Sequence, residues 1–339
     1  MSDGKNNRLR SFCWTLPLFN IVFGLGICLL HFHDEVAAMK IKRENDMHIP
    51  PHLDSWGRLT SGPIHWSTMD KVLFVALIML LLEVLNFICG QSGELMGSTN
   101  IPVRGKHLDD LSPTDHLFIG ISKAQTGPFL YIMLRYCFQE TLVLWTFDKY
   151  TSIQTILLPL PVLFIVYDFF YTILHWFLHI KAIYPFIHKH HHHQKAPSRA
   201  TDDAVNVHPV EFTLGEYNHL WTIFLCCRVF HMKMHILSVL LFLAIGGVLA
   251  GWNHTRFDVT FSLFGKVTIF DSKAHDVHHR IPQSNYGQYT MFWDHVFGSY
   301  RQYDPTDRVN PKVQLNPKTG KSLNYEYIKE RSSSNMKMQ

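Results

Sequence analysis

The sequence predicts an all-α integral membrane protein of about four transmembrane helices plus a membrane hairpin, with a histidine-rich helical cap on the cytosolic side. Three observations predict it. Charged residues are only 17% of the 339-residue chain, against about 25% in an ordinary soluble domain. Hydrophobic residues, 47% of the total, are gathered into long runs. Histidine occurs 23 times, and fifteen of these fall between His175 and His279. The net charge of +4 is too small to argue for a nucleic-acid partner. On a membrane protein a mild basic excess reflects cytoplasmic loops.

The first apolar run, residues 12–32, follows Lys5, Arg8 and Arg10. It is long for a signal peptide and shows no convincing small-residue cleavage site, so it reads as a signal anchor. Residues 72–89 form the clearest second span, whose Glu83 and Asn86 are expected to face the protein interior. Residues 127–145 are a weaker third candidate, interrupted by Arg135 and Glu140: a span with a buried ion pair, or a re-entrant element. Residues 153–171 make the fourth, kinked by Pro159 and Pro161. At 1.5 Å per residue each stretch is near the roughly 30 Å needed to cross a bilayer. The runs 220–230 and 236–252, parted by His231, Lys233 and His235, form a hairpin once residues 212–219 are added. The tail from Tyr300 is polar and is expected to fray. The organisation is thus 1–150 transmembrane, 151–300 histidine-bearing and 301–339 tail, with no repeats and no soluble second domain.

Loop charge sets the topology. The basic N-terminus, the stretch with Arg104, Lys106 and Lys123, the histidine loop with Lys181, Lys189, Lys195 and Arg199, and the basic tail all belong on the cytosolic side. On that topology the sequon at Asn253 faces the cytosol and stays unglycosylated. The six cysteines show no CxxC spacing and read as reduced small residues.

Three histidine clusters carry the chemistry. Asp168, His175 and His179, spaced seven and four apart, share one helix face. Two imidazoles one turn apart can grip a metal, and Asp168 is placed to orient a ligand through its free ring N–H. Taken alone, the pair also fits two core or interfacial histidines. The run from His188 to His193 is too crowded for every ring to reach one site, and a helical reading selects His188, His191 and His192. Taken alone, the run also fits a low-complexity metal sink. The third cluster, His275, His278 and His279, repeats the HxxHH spacing. That recurrence beside another membrane segment decides for a metal centre. Eight imidazoles exceed what one metal needs, so two metals are implied. His208 and His254 are further candidate ligands, each equally able to be a hydrogen-bonded structural histidine. Imidazole suits zinc, copper, iron and nickel, so ligand type alone does not select the metal. Phe169, Phe170 and Trp176 are candidate walls of a substrate pocket.

In order, these motifs resemble the fatty acid hydroxylase superfamily, which includes sterol 4-methyl oxidases, sterol ring desaturases and fatty acid hydroxylases. The resemblance runs from Asp168 to Tyr300: DxxYxxxHxxxH at Asp168, HKxHH at His188, Ala196-Pro197, His208-Pro209-Val210-Glu211, HxxHH at His275, Asn285-Tyr286-Gly287-Gln288-Tyr289, Trp293-Asp294 and Phe297-Gly298-Ser299. It departs from the methyl oxidases at His254-Thr255-Arg256-Phe257, where they carry His-Ser-Gly-Tyr. It implies a non-haem di-iron catalytic domain over 151–300, in the endoplasmic reticulum membrane with the site facing the cytosol. The enzyme would hydroxylate or desaturate a sterol or fatty-acyl lipid with O2. Electrons would come from NAD(P)H through a separate cytochrome b-type donor, since no fused haem motif occurs. Two other classes remain open on the residues alone. A membrane zinc hydrolase would use three protein ligands and a water. A histidine-rich metal transporter would bury ionisable groups near mid-membrane.

Overall fold

The computed structural model of the protein describes residues 62–145, 153–263 and 267–306. The expected anchor over 12–32 and the tail beyond residue 306 lie outside the described residues. Within them, four segments are long and apolar enough to cross a membrane: Thr68–Gly93, Pro113–Gln139, Ile153–Leu178 and Ile236–Asn253.

Helix α1 (Thr68–Leu95) is apolar over most of its surface. Val72, Leu73, Leu80 and Phe87 stand exposed along it, as lipid-facing residues do on a spanning helix. Helix α2 (Pro113–Gln139) starts well before the expected third span. Its start is a capping box: Ser112 and Asp115 bond each other's backbone N–H groups, with Pro113 at the first helical position. The hydropathy of its first half is low because Ser122, Lys123 and Thr126 are buried on its inner face. Lys123 is therefore not a loop charge. Its ammonium lies 2.6 Å from Glu83 and 2.7 Å from Asp202, which also explains why Glu83 is tolerated in α1. Asn86 donates to Asp202 as well. The expected break in this region is a turn after Gln139, where Glu140 pairs with Arg228 at 2.7 Å.

Helices α3 (Ile153–Leu157) and α4 (Pro159–Leu178) meet at a kink beside Pro159. After a short α5 (Thr201–Ala204), helices α6 (Pro209–Arg228) and α7 (Ile236–Asn253) are joined by a short turn; of this expected membrane hairpin only α7 is long and apolar enough to cross a membrane. Its turn is pinned by a two-residue parallel pair, β1 (Val143–Leu144) with β2 (Met234–His235). An antiparallel β3 (Thr260–Leu263) and β4 (Val267–Asp271) then leads into α8 (Ser272–Arg280), capped by Asp271, and α9 (Phe292–Phe297). These strands are the small departure from an all-α chain.

Met133, Leu163, Ile223, Val239 and Phe242 pack α2, α4, α6 and α7 around one core. Cys89, Cys137, Cys226 and Cys227 are buried free thiols. The packing brings the end of α1, the starts of α2 and α6, and the ends of α4 and α7 to one end of the bundle, where α8 closes over them.

Candidate metal centre

Nine of the ten expected histidine ligands gather at that end in two groups. His175, His179, His188, His192 and His278 form one, and His191, His254, His275 and His279 the other; within each group the ring nitrogens lie within 4.8 Å of one another. The groups adjoin, with the rings of His192 and His279 centred 5.0 Å apart. The two HxxHH motifs each straddle both groups. His188 and His192 enter the first and His191 the second, while His278 enters the first and His275 and His279 the second. Two motifs that interleave in this way fix the sites side by side.

Helix α8 shows the local logic. Its spacing of three and four puts all three histidines on one face. The flank of that face carries Asp276, which bonds Arg256 at 2.7 Å and Arg280 at 3.1 Å. Arg256 also donates to the carbonyls of Ile101 and Pro102, tying α8 to the loop before α2.

The outward nitrogens are committed. Nδ1 of His175 donates to the Tyr286 carbonyl (2.8 Å), of His188 to Glu211 (2.7 Å), of His278 to the Ser284 carbonyl (2.7 Å), of His279 to the Gln194 carbonyl (3.0 Å), of His254 to the Ala250 carbonyl (2.8 Å) and of His191 to the Asn206 carbonyl (3.4 Å). Each such bond fixes the tautomer and leaves Nε2 a bare lone pair. Yet Nε2 of His175 faces Nε2 of His188 at 3.0 Å, and Nε2 of His254 faces that of His191 at 3.2 Å. Two lone pairs cannot hydrogen-bond each other. A cation between them turns the repulsion into coordination, and there is one such pair in each group. The donor set therefore fits two metal ions.

Burial and mutual repulsion keep these rings neutral. Desolvation first, then neighbouring imidazoles, hold His188, His192, His275, His278 and His279 well below the usual histidine range. Burial lowers His179 to about 2. Neutral imidazole is the form that binds metal.

Two expectations change. His208 lies in neither group. Its Nδ1 caps α6 by accepting from the Val210 N–H at 3.2 Å, and its ring lies edge-on to Phe118. Asp168 touches no imidazole. It accepts the N–H groups of Gln288 (3.2 Å), Tyr289 (3.0 Å) and Thr290 (2.6 Å), while Asp294 accepts those of Tyr286 (2.7 Å) and Gly287 (2.8 Å). Five successive N–H groups thus point at two buried carboxylates. The clamped loop in turn offers the Tyr286 carbonyl to His175, so Asp168 acts on the centre through the loop. Residue 287 must be glycine here, because a Cβ would lie 2.4 Å from the Thr290 carbonyl oxygen. The carboxylate that does bond an imidazole of the two groups is Glu211, on His188, which sequence reasoning passed over. Its signal was its place in the His-Pro-Val-Glu stretch, one turn inside α6. The crowding of the second cluster also resolves: His190 and His193 turn away and bond Asp115, at 3.1 and 3.2 Å. That acceptor is completed by Asn206.

A largely apolar cavity of about 530 Å³ opens beside the first group, bounded by α1, α2, α4, α6 and α7. His175 and Glu211 stand at its head, with Leu85, Leu130, Leu174 and Leu243 among its walls. The expected walls lie elsewhere. Phe170 and Trp176 line an open groove on the outer face of α4, and Phe169 packs on Trp293.

Fold and site together define a helical, membrane-type protein with a paired imidazole centre at the mouth of an apolar cavity. Residues 160–299 match the family model described as fatty acid hydroxylase, the stretch that carries the sequence motifs. Methylsterol monooxygenase 1 of Rattus norvegicus is 28% identical over 141 residues, 41% of this chain and 45% of that protein. Delta(7)-sterol 5(6)-desaturase of Eremothecium gossypii is 30% identical over 138 residues, 40% of this chain and 36% of that protein. Delta(7)-sterol-C5(6)-desaturase of Nicotiana tabacum is 30% identical over 143 residues, 41% and 48% of the two chains. The chain thus spans less than half the length of these relatives. No solved structure matches it.

Proposed function

We propose that the chain is a membrane-bound non-haem di-iron oxidoreductase that hydroxylates or desaturates a C–H bond of a sterol or fatty-acyl lipid with O2. The observation that carries this reading is the join between centre and cavity. A paired set of neutral imidazoles, able to hold two ions without adding negative charge, opens on an apolar space within the usual ligand-site range of roughly 300–1,000 Å³. The sterol enzymes among the relatives support it. Two irons would supply the oxygen activation that an unactivated C–H bond requires.

The chain's own residues do the rest. His175, His179, His188, His192 and His278 would hold one ion, and His191, His254, His275 and His279 the other. Glu211 and the backbone carbonyls hold ring tautomers, the clamped loop over 286–290 steadies His175, and the leucine walls exclude water. Placement of the lipid decides which carbon reacts and whether an alcohol or an alkene results. The catalytic unit spans 151–300, with 1–150 a transmembrane region and 301–339 a tail. Electrons reach the centre from NAD(P)H through a separate cytochrome b-type donor. The protein sits in the endoplasmic reticulum membrane with the site and both termini in the cytosol.

The test is metal analysis of the purified chain, joined to sterol and fatty-acid profiling of cells expressing it or His275→Ala. Two irons per chain, and a lipid gaining one oxygen or losing two hydrogens only with the intact chain, are expected. Zinc in place of iron, with no oxidised lipid, would move the reading to a hydrolase. Metal flux across vesicles carrying the chain would move it to a transporter.

A further inference from the structure

Set back from the metal centre, the largely apolar cavity carries a polar island. His219 on α6 bonds the Tyr289 hydroxyl, with Nε2 and Oη 3.0 Å apart. The ring of Tyr167 lies against both, with centroids 4.3 Å from His219 and 4.8 Å from Tyr289. Tyr289 reaches this position because residue 246 on α7 is glycine; a Cβ there would sit 2.8 Å from its hydroxyl oxygen. One turn before His219 on α6, the Glu216 side chain lines the same cavity. Among the described residues its carboxyl has no hydrogen-bond or ion-pair partner. A carboxyl facing an apolar space without a partner is costly, and a stretch chosen only for packing would not keep one.

Resting on the lipid-oxidase reading above, we propose that this island is a recognition site for the hydroxyl of an amphipathic lipid. Glu216 accepts the lipid O–H, and the Tyr289 hydroxyl, fixed by His219, makes the second contact. The apolar body of the lipid then runs along the cavity towards His175 and Glu211.

Two helices measure the distance. Tyr167 to His175 on α4 and Glu211 to His219 on α6 are both eight residues, roughly 12 Å at 1.5 Å per residue. Glu216, five residues from Glu211, stands roughly 7.5 Å from that level on the same scale. A hydroxyl held at the island therefore presents to the metals a carbon several bonds away from the carbinol carbon. The carbinol carbon and its immediate neighbours stay out of reach. The site thus selects both the substrate class, a hydroxylated lipid, and the region of it that meets the centre.

The experiment is equilibrium binding to the full-length, metal-loaded protein in detergent, with cholesterol and 1-octadecanol each compared with its O-methyl ether. Wild type is expected to hold at least one free alcohol about ten-fold more tightly than its ether, the size of one good hydrogen bond. In Glu216→Gln and in Tyr289→Phe the preference should fall to two-fold or less, with metal content unchanged. An ether bound as tightly as its alcohol, a preference that survives both substitutions, or no binding of either alcohol would overturn the assignment. The readout needs no turnover. Loss of the oxidase reading, through wrong metal or no oxidised lipid, therefore leaves a different mark from loss of the hydroxyl site.

Discussion

Asp168→Asn tests how the centre is braced. Asp168 is fully buried and accepts three backbone N–H groups, Oδ1 from Gln288 and Tyr289 and Oδ2 from Thr290, the last at 2.6 Å. Asparagine keeps the size and one acceptor oxygen, which can still take two of the three. Its NH2 would face the Thr290 N–H, leaving a buried donor without a partner, at a cost of about 1–3 kcal/mol. The two remaining bonds lose their charge assistance, roughly half their strength. The sum is about 3 kcal/mol, or roughly 6–12 °C in melting temperature for a unit of this size. Because the loop also offers the Tyr286 carbonyl to His175, metal should be lost from the first group before the second. The assay is paired melting curves in detergent at one scan rate, with metal counted on the same samples. A variant melting within 2 °C of wild type with full metal would refute the clamp. Normal melting with lost metal would instead restore Asp168 as a direct partner of an imidazole.

Glu211→Ala removes the acceptor of the His188 Nδ1–H and should weaken metal binding by about 10–100-fold, read by chelator competition; unchanged competition would count against it. His208→Ala should cost about 1 kcal/mol as a lost helix cap and leave the metal count untouched, so metal loss would return His208 to the ligand set. Metal-stripped protein should lose stability in acid. Burial lowers the folded pKa of His188, His192, His275, His278 and His279, so the unfolded chain, titrating near 6.5, binds more protons. That stability is present above about pH 6.5 and is lost as pH falls through it; a melting temperature flat from pH 7.5 to 5.5 would contradict the burial of neutral rings.

Composition and run length were enough to read the membrane class and the apolar span of α7, because burial in lipid requires long apolar stretches whatever their neighbours. Spacing within single helices was equally legible. The i, i+3 and i+4 intervals at His275, His278 and His279 put three rings on one face by helix geometry alone. The start of α2 was missed because a hydropathy reading discounts Ser122, Lys123 and Thr126, and the carboxylates that make Lys123 tolerable there lie on α1 and α5, distant in sequence. Only the tertiary structure decided how nine histidines divide into two groups, since each HxxHH motif serves both. It alone turned His190 and His193 towards Asp115, and Asp168 from an imidazole to a loop more than a hundred residues away. The reason is physical: a side chain's type and period fix which face it takes, but its partner is set by which other element packs against that face.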